Sequence, residues 1–115
     1  MALHPEYVTG FCEGHGTFTY SRSGRQLAVY FGIRGEGLDE IAAFFGVGKI
    51  YGGNYYRVTH RDDLAVIVRH FDEHPLRTKK RAAFEIWRQM VAAKRAFRAT
   101  DREQLDRLAS ELSAL

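Results

Sequence analysis

A predicted helix and a predicted strand meet in the segment VTGFCEGHGTF, which covers residues 8–18. Upstream of it, Pro5 suits the first turn of a helix, where the N–H that proline lacks would have no partner in any case. The helix would end near Gly14 or Gly16. Residues 17–21 then alternate polar and aromatic side chains, which is typical of a half-buried strand.

The sequence downstream predicts further strands and helices. A turn at Ser23 and Gly24 leads into a strand over 26–34 with a large apolar residue at every second position. Periodicity and turn residues then predict a helix over 38–45, strands over 49–51 and 55–59, a helix from Asp62 or Asp63 to Pro75, a helix over 78–93 and a last helix capped by Thr100. We expect one α+β domain over 1–115, an antiparallel sheet covered by helices on one face, with C-terminal helices over about 78–115.

Composition narrows the class of protein. The net charge of +3 and pI of about 9.2 permit a nucleic-acid partner without requiring one. The single cysteine, Cys12, cannot form an internal disulfide, which fits a reducing compartment. There is neither a secretory signal nor a run of about 20 apolar residues that could span a bilayer. We therefore expect an intracellular protein, cytoplasmic, nucleoid-associated or organellar, with no membrane partner.

Three segments match landmarks of one known family, in the same order and at similar spacing. VTGFCEGHG over 8–16 resembles a nine-residue motif, LAGLIDADG. FFGVGKIY over 44–51 resembles an FLGVGKIY-like segment, and PLRTKK over 75–80 resembles a PLLTKK segment that opens a helix. Over roughly three quarters of its length the chain thus resembles the LAGLIDADG homing endonucleases. That resemblance implies an αββαββα fold with a saddle-shaped sheet.

The motif occurs once in the 115 residues. Family members with one motif pair as homodimers, whereas those with two motifs are pseudo-dimeric single chains, so the resemblance implies a homodimer. Gly10 and Gly14 lie four residues apart on one helix face, a spacing that lets two helix backbones approach closely. Alternatively, these glycines pack against the chain's own sheet or merely fray the helix.

The resemblance also implies that the outer face of the sheet lies in the major groove of double-stranded DNA. Arg and Lys can donate to guanine, Gln can pair with adenine, and Ser or Thr can contact either. The predicted outer face contains no acidic residue and comprises Thr17, Thr19, Ser21, Ser23, Gln26, Tyr30, Arg34, Lys49, Tyr51, Tyr55, Arg57 and Thr59. Any half-exposed antiparallel sheet also presents a polar face, so the pattern alone supports DNA binding without establishing it.

The family cuts DNA with divalent metal ions held between the two motif helices, through an acidic residue at the eighth motif position. Here that position is His15, whose imidazole is a poor ligand for Mg²⁺ but an acceptable one for a softer metal. Gly35 stands where many members place a glutamine. Glu13, at the sixth motif position, and Lys79, where the family often has a basic residue near the scissile phosphate, complete the catalytic candidates. A Mg or Mn cofactor is implied if the protein is active, and none otherwise.

Three functions follow from these observations. The first hypothesis is a sequence-specific DNA-binding homodimer impaired in cleavage, because the metal-binding acid is missing. The second is an active metal-dependent endonuclease that cuts both strands of a long, near-palindromic site. The third is a domain whose sheet binds protein or RNA. His70 and His74, four residues apart near a helix end, are interpreted as a surface pair without a function.

Overall fold

A four-stranded antiparallel sheet lies at the centre of the computed structural model, which describes residues 3–24, 26–95 and 102–115. Its strands run in the order β1-β2-β4-β3. In chain order the elements are α1 (Pro5–His15), β1 (Gly16–Ser23), β2 (Gln26–Arg34), α2 (Leu38–Phe45), β3 (Lys49–Tyr51), β4 (Tyr55–Val58), α3 (Arg61–Glu73), α4 (Lys80–Arg95) and α5 (Arg102–Ser113). The predicted α+β class and the αββαββα order are therefore confirmed.

The inner face of the sheet forms the core, as the alternation in β2 predicts. Leu27, Val29, Phe31 and Ile33 are all buried, and the helices cover them. Phe18 of β1 lies at the centre of an aromatic cluster. Its side chain is on the inner face of the sheet, where it contacts aromatic rings of the neighbouring strand and of the covering helices. Its ring centroid lies 5.2–5.3 Å from those of Phe31, Phe71, Phe84 and Trp87.

Trp87 of α4 fixes that helix against the back of the sheet. Its side chain is fully buried, and its indole Nε1 donates to the carbonyl oxygens of Thr19 and Tyr30, at 3.1 and 2.9 Å. These two residues face each other across the β1–β2 pair. A buried indole N–H requires an acceptor, so the N–H shared between these two carbonyl oxygens holds α4 over the middle of the sheet.

Two helices begin with a histidine cap that the sequence did not suggest. α3 begins at Arg61, just before the predicted start at Asp62, because Nδ1 of His60 accepts the backbone N–H of Asp62 at 3.2 Å. His4 caps α1 in the same way, accepting the N–H of Glu6 at 3.1 Å. Histidine is not among the usual N-cap residues, so composition gave no signal at either position.

The C-terminal helices differ slightly from the prediction. α4 begins at Lys80, two residues beyond the expected start at Thr78, whose hydroxyl accepts the Lys80 N–H at 3.4 Å. The cap predicted at Thr100 lies outside the described residues. α5 is tied to β1 by an ion pair between Arg22 and Asp106 at 2.9 Å. Within the described ranges, no helix is long and apolar enough to cross a membrane.

A buried polar contact sets the position of α1 against α3. The hydroxyl of Thr9 lies 3.0 Å from Nε2 of His70 and donates to the carbonyl oxygen of His74 at 2.9 Å. The interpretation of the two histidines as a surface pair is wrong for His70, which is only 7% exposed. Burial, followed by the nearby His74, lowers the pKa of His70 to about 4, so its neutral ring belongs to the packed α1–α3 junction.

Candidate nucleic-acid interface

Eleven of the twelve residues predicted for the outer face of the sheet lie in its strands, at positions that alternate with the buried ones. Thr59 is the exception, because β4 ends at Val58 and not at the predicted residue 59. Strand register places Thr17, Gly32, Arg57 and Lys49 in one row across all four strands. Residues at alternate strand positions share a face, so this row identifies the other outward positions. None of the twelve predicted residues is acidic.

Two arginines on this face stack on tyrosine rings. The Cζ atom of Arg34 lies 4.2 Å from the ring centroid of Tyr55, and that of Arg57 lies 4.0 Å from the ring centroid of Tyr30. A Cβ atom at Gly32 would lie 2.9 Å from the hydroxyl of Tyr55, so the tyrosine ring lies directly over the glycine. The absence of a side chain at this position gives the Tyr55 ring the room to lie flat on the sheet.

A shallow cavity of about 210 Å³ connects this face with the end of α1. Burial, and next the nearby Tyr30, raise the pKa of Tyr55, so its phenol stays neutral at physiological pH. The cavity is lined by His15, Thr17, Thr19, Tyr30, Gly32, Arg34 and Tyr55. An anionic group that entered it would meet hydroxyls and a guanidinium, with no carboxylate in the lining.

His15 is the last residue of α1 and is exposed beside this cavity. Its ring packs against Phe11, with the centroids 4.7 Å apart. No group of three or more His, Cys, Asp or Glu side chains in the described residues could hold a metal ion. A hard ion such as Mg²⁺ needs several oxygen ligands, and a single imidazole at this helix end does not supply them. Within the described residues of this chain, the end of α1 therefore does not by itself supply the ligands of such a metal site.

The carboxylate of Glu13 is hydrogen-bonded to the backbone of the segment before α4. Its Oε1 accepts the backbone N–H groups of Arg77 and Thr78, both at 2.7 Å. These hydrogen bonds, that of Arg77 first, lower the pKa of Glu13. Glu13 thus fastens the segment before α4 to the motif helix, and this explains an acidic residue here without assigning it to a metal.

Of the two neighbouring lysines, the structure brings Lys80 to the motif. Its ammonium donates to the carbonyl oxygen of Gly16, directly after His15, whereas Lys79 is exposed. No hydrogen bond or ion pair of the Lys79 side chain occurs within ranges 3–24, 26–95 and 102–115. Lys80 is therefore the one of these two lysines whose ammonium lies at the end of the motif helix, and the role expected for Lys79 stays a prediction.

One face of α1 carries two exposed glycines and an exposed tyrosine. Among the residues that the structure describes, no atom outside the helix itself and the chain neighbours lies within 4 Å of a Cβ built on Gly10 or Gly14. Tyr7, one turn before Gly10, is 55% exposed. The alternative that these glycines pack against the chain's own sheet is therefore wrong.

Comparison with known proteins identifies the family. The sequence profile of the LAGLIDADG endonucleases matches residues 8–91, most of the chain. The protein belongs to this family. It is 32% identical over 107 residues to the "Uncharacterized 50.9 kDa protein in ND4 intron 1" of Podospora anserina, covering 77% of this chain and 24% of that one. The chain thus spans about a quarter of this intron-encoded relative.

Solved LAGLIDADG structures superpose closely on the chain. The meganuclease I-AabMI bound to uncleaved DNA gives a TM-score of 0.88 at 28% identity, over 98% of this chain and 45% of that one. The homing endonuclease I-TnaI gives 0.85 at 27% identity, over 97% of this chain and 89% of that one. The archaeal intron-encoded I-Vdi141I, complexed with DNA, shares the fold at 22% identity, with a TM-score of 0.83. The resemblance drawn from the three sequence segments is confirmed.

LAGLIDADG endonucleases generally use divalent metals. The chain departs from the family pattern at His15 and a second time at Gly35, at the end of β2. Gly35 has a φ of +153°, and its N–H donates to the carbonyl oxygen of Asn54 at 3.0 Å. Residues other than glycine rarely adopt this backbone conformation. The glutamine that many members carry at this position would therefore strain the backbone here, which is a physical reason for the glycine.

Replacing Glu13 with glutamine is expected to lower the stability of the fold at neutral pH, because the charged acceptor of two backbone N–H groups is lost. A carboxyl whose pKa is lowered on folding stabilises the protein above its ordinary pKa, and this contribution is lost as the pH falls through the lowered value. The stability difference between wild type and Glu13→Gln should therefore shrink from pH 7 to pH 3 in urea titrations. A difference that is constant with pH would contradict this role. Glu111→Gln, at an exposed position in α5, is the matched control.

Proposed function

We propose that this protein is a sequence-specific, double-stranded-DNA-binding homodimer of the LAGLIDADG family that is impaired in cleavage. The observation that carries the proposal is the pairing of an acid-free, arginine- and tyrosine-rich sheet face with a histidine at the metal-binding motif position. It acts where duplex DNA is present, in a nucleoid or an organelle.

The chemistry of the sheet face supports duplex DNA as the ligand. Lys49 and Arg57 face each other on neighbouring strands, and Arg34 lies on the next strand. The major groove, about 12 Å wide, admits a two-stranded β-ribbon, and its base edges carry acceptors that such cations contact. The superposed I-AabMI and I-Vdi141I were both solved with DNA, which favours DNA over a protein ligand.

The end of α1 supports impaired cleavage. His15 supplies no carboxylate, Glu13 is held by two backbone N–H groups, and Gly35 replaces the solvent-positioning glutamine. What remains is Lys80 beside Gly16, a cation that can bind a phosphate but cannot replace a metal-bound hydroxide. We therefore assign binding, and no hydrolytic step, to this site.

The open face of α1 supports the homodimer. Gly10, Gly14 and Tyr7 form a helix surface that no other element of the described chain contacts closely at the glycines, at the motif that pairs with a second motif in this family. A second copy supplies that motif. In a longer polypeptide with two motifs, the second one would occupy the same face.

Binding-site selection from a random duplex pool, in Ca²⁺ so that cutting does not deplete bound DNA, tests the proposal. We expect a near-palindromic site, because two identical subunits read two half-sites. Absence of any enriched sequence would overturn specific DNA binding and favour a protein or RNA partner. Incubating the selected site with Mg²⁺ or Mn²⁺ then measures cleavage, and cutting that His15→Ala abolishes would establish the active endonuclease instead.

Arg34→Ala and Arg57→Ala should each weaken binding of the selected site by about 100-fold, because each substitution removes a base contact, typically worth about tenfold, from both half-sites of the homodimer. The matched control is Arg69→Ala, which removes the same charge from an exposed position in α3, where the arginine pairs with Glu73 at 3.4 Å. Unchanged affinity in the two sheet variants would favour the interaction-domain alternative.

A further inference from the structure

The stacked arginines point to specific bases. Arg34 and Arg57 are each held against a tyrosine ring, at 4.2 and 4.0 Å, on the face proposed to contact DNA. We propose that Arg34 and Arg57 each read one guanine in a half-site, and that Tyr55 and Tyr30 hold the two guanidinium groups in position for it. This inference rests on the proposed function and adds the base identity at two positions.

The guanidinium of Arg57 has donors that the described residues of the chain do not use. Its Nε is buried and has no hydrogen-bond partner. Arg57 is half-buried, and no hydrogen bond or ion pair of its side chain occurs among the residues that the structure describes. Its two terminal nitrogens therefore have no protein partner there, and their parallel N–H donors match the O6 and N7 acceptors of guanine.

The tyrosines reduce the freedom of both arginines. A guanidinium stacked on an aromatic face has lost most of its rotamer freedom before DNA arrives, so contact with a base costs less entropy. Tyr55 is itself fixed, because its ring lies over Gly32. Since its pKa is raised, the phenol remains neutral and does not form a competing ion pair with Arg34 or Arg57. The sheet thus presents the guanidinium groups of Arg34 and Arg57 in fixed positions before DNA binds.

The two arginine–tyrosine stacks lie at different places on the sheet. The Arg34 guanidinium lies over the ring of Tyr55, its partner in the strand register. The Arg57 guanidinium lies over the ring of Tyr30, two residues along β2 from its own register partner, Gly32. The two arginines should therefore contact two different base pairs of each half-site.

The test uses the selected duplex with 7-deazaguanine placed at one guanine at a time. This base pairs normally but lacks the N7 acceptor, so binding should fall about tenfold at two positions in each half-site. In Arg57→Gln protein, the penalty should disappear at one of these positions and persist at the other. Arg34→Gln should show the reverse pattern.

Tyr30→Leu and Tyr30→Phe separate positioning from simple contact. Leucine removes the aromatic face, so the 7-deazaguanine penalty at the Arg57 position should fall several-fold, whereas phenylalanine keeps the face and should retain it. The inference is overturned if specific binding occurs but no 7-deazaguanine substitution weakens it, or if the penalties are unchanged in both glutamine variants. Failure to select any DNA site would instead overturn the proposed function itself, so the two failures are distinguishable.

Discussion

His15→Asp is expected to make the protein cut its selected site in Mg²⁺ at least about 100-fold faster than wild type. The substitution places a carboxylate at the motif position where the family holds its metal, one from each subunit. Carboxylate oxygens are the ligands that Mg²⁺ prefers, and a bound metal stabilises developing charge by several kcal/mol. At about 1.4 kcal/mol per tenfold in rate, even part of that effect reaches 100-fold.

The position tolerates the change structurally. His15 is exposed at the C-terminus of α1, and the contact recorded for its ring is the one with Phe11. Aspartate at the C-terminus of a helix opposes the helix dipole, which typically costs about 0.3–1 kcal/mol, so we expect a small loss of stability and an intact fold. A change in cleavage can therefore be attributed to the ligand, with thermal unfolding of each variant as the check on folding.

His15→Asn is the matched control, since it has the shape of aspartate without the charge. Cleavage by the aspartate variant alone, dependent on Mg²⁺ and suppressed by Ca²⁺, would establish that the missing carboxylate limits the enzyme. If His15→Asp binds DNA as wild type does but does not cut it, the site lacks more than one ligand. Gly35 is the first position to suspect, because its glycine-specific backbone cannot readily accept glutamine.

Local sequence patterns predicted the fold because the periodicity of a helix or strand, and the turn residues at its ends, can be recognised within a few residues. The alternation in β2 placed Leu27 and Phe31 on the buried face, and glycine at Gly46 ended α2 with a φ of +72°. Periodicity of this kind depends only on backbone geometry, so it survives without knowledge of the partner elements. The outer-face residues followed from the same alternation.

The site could be predicted less completely, because its contacts join residues far apart in sequence. Lys79 lies in the turn before α4 and Lys80 is the first residue of that helix, and the PLRTKK segment alone did not reveal which of the two ammonium groups lies at the end of α1. Glu13 is oriented by backbone N–H groups more than 60 residues away, at Arg77 and Thr78. No sequence pattern carries such a pairing.

The arginine–tyrosine stacks were also beyond the sequence. Arg57 stacks on Tyr30, which is not its partner in the strand register, because its side chain leans along the sheet past Gly32. The side chains were individually assigned to the DNA face, but their coupling depends on the β2–β4 register, which the hairpin and crossover lengths do not fix. Only the structure shows that the cations are held in place.

Gly14→Leu is expected to convert the proposed homodimer to a monomer and to weaken binding of the selected site by about 100-fold or more. A Cβ atom added at Gly14 lies within 4 Å of no other element of the described chain, so the subunit should still fold with leucine there, whereas the larger side chain would prevent close approach of two α1 helices. Loss of the second subunit removes the gain from binding two half-sites together, which typically amounts to 10²–10⁴-fold. Light scattering and binding titrations measure the two effects.

Gly10→Ala distinguishes a buried face from an exposed one. In a helix that faces solvent, alanine in place of glycine stabilises a protein by roughly 0.5–1 kcal/mol. Where two backbones are in close contact, the added methyl group separates them and the sign reverses. We expect Gly10→Ala to lower the stability of the wild-type dimer at high protein concentration and to raise that of the Gly14→Leu monomer.

Ala43→Leu, at an exposed position in α2, controls for added apolar surface and should leave the mass, the affinity and their concentration dependence unchanged. A wild-type protein that is monomeric at micromolar concentration and selects a non-palindromic site would contradict the homodimer. Gly14→Leu should then have little effect on affinity, since no second α1 contacts that face. Only if a second α1 helix contacts this face should Gly10→Ala destabilise the wild-type protein and stabilise the Gly14→Leu variant. The opposite signs of these two changes in the free energy of unfolding are therefore the result that decides for the homodimer.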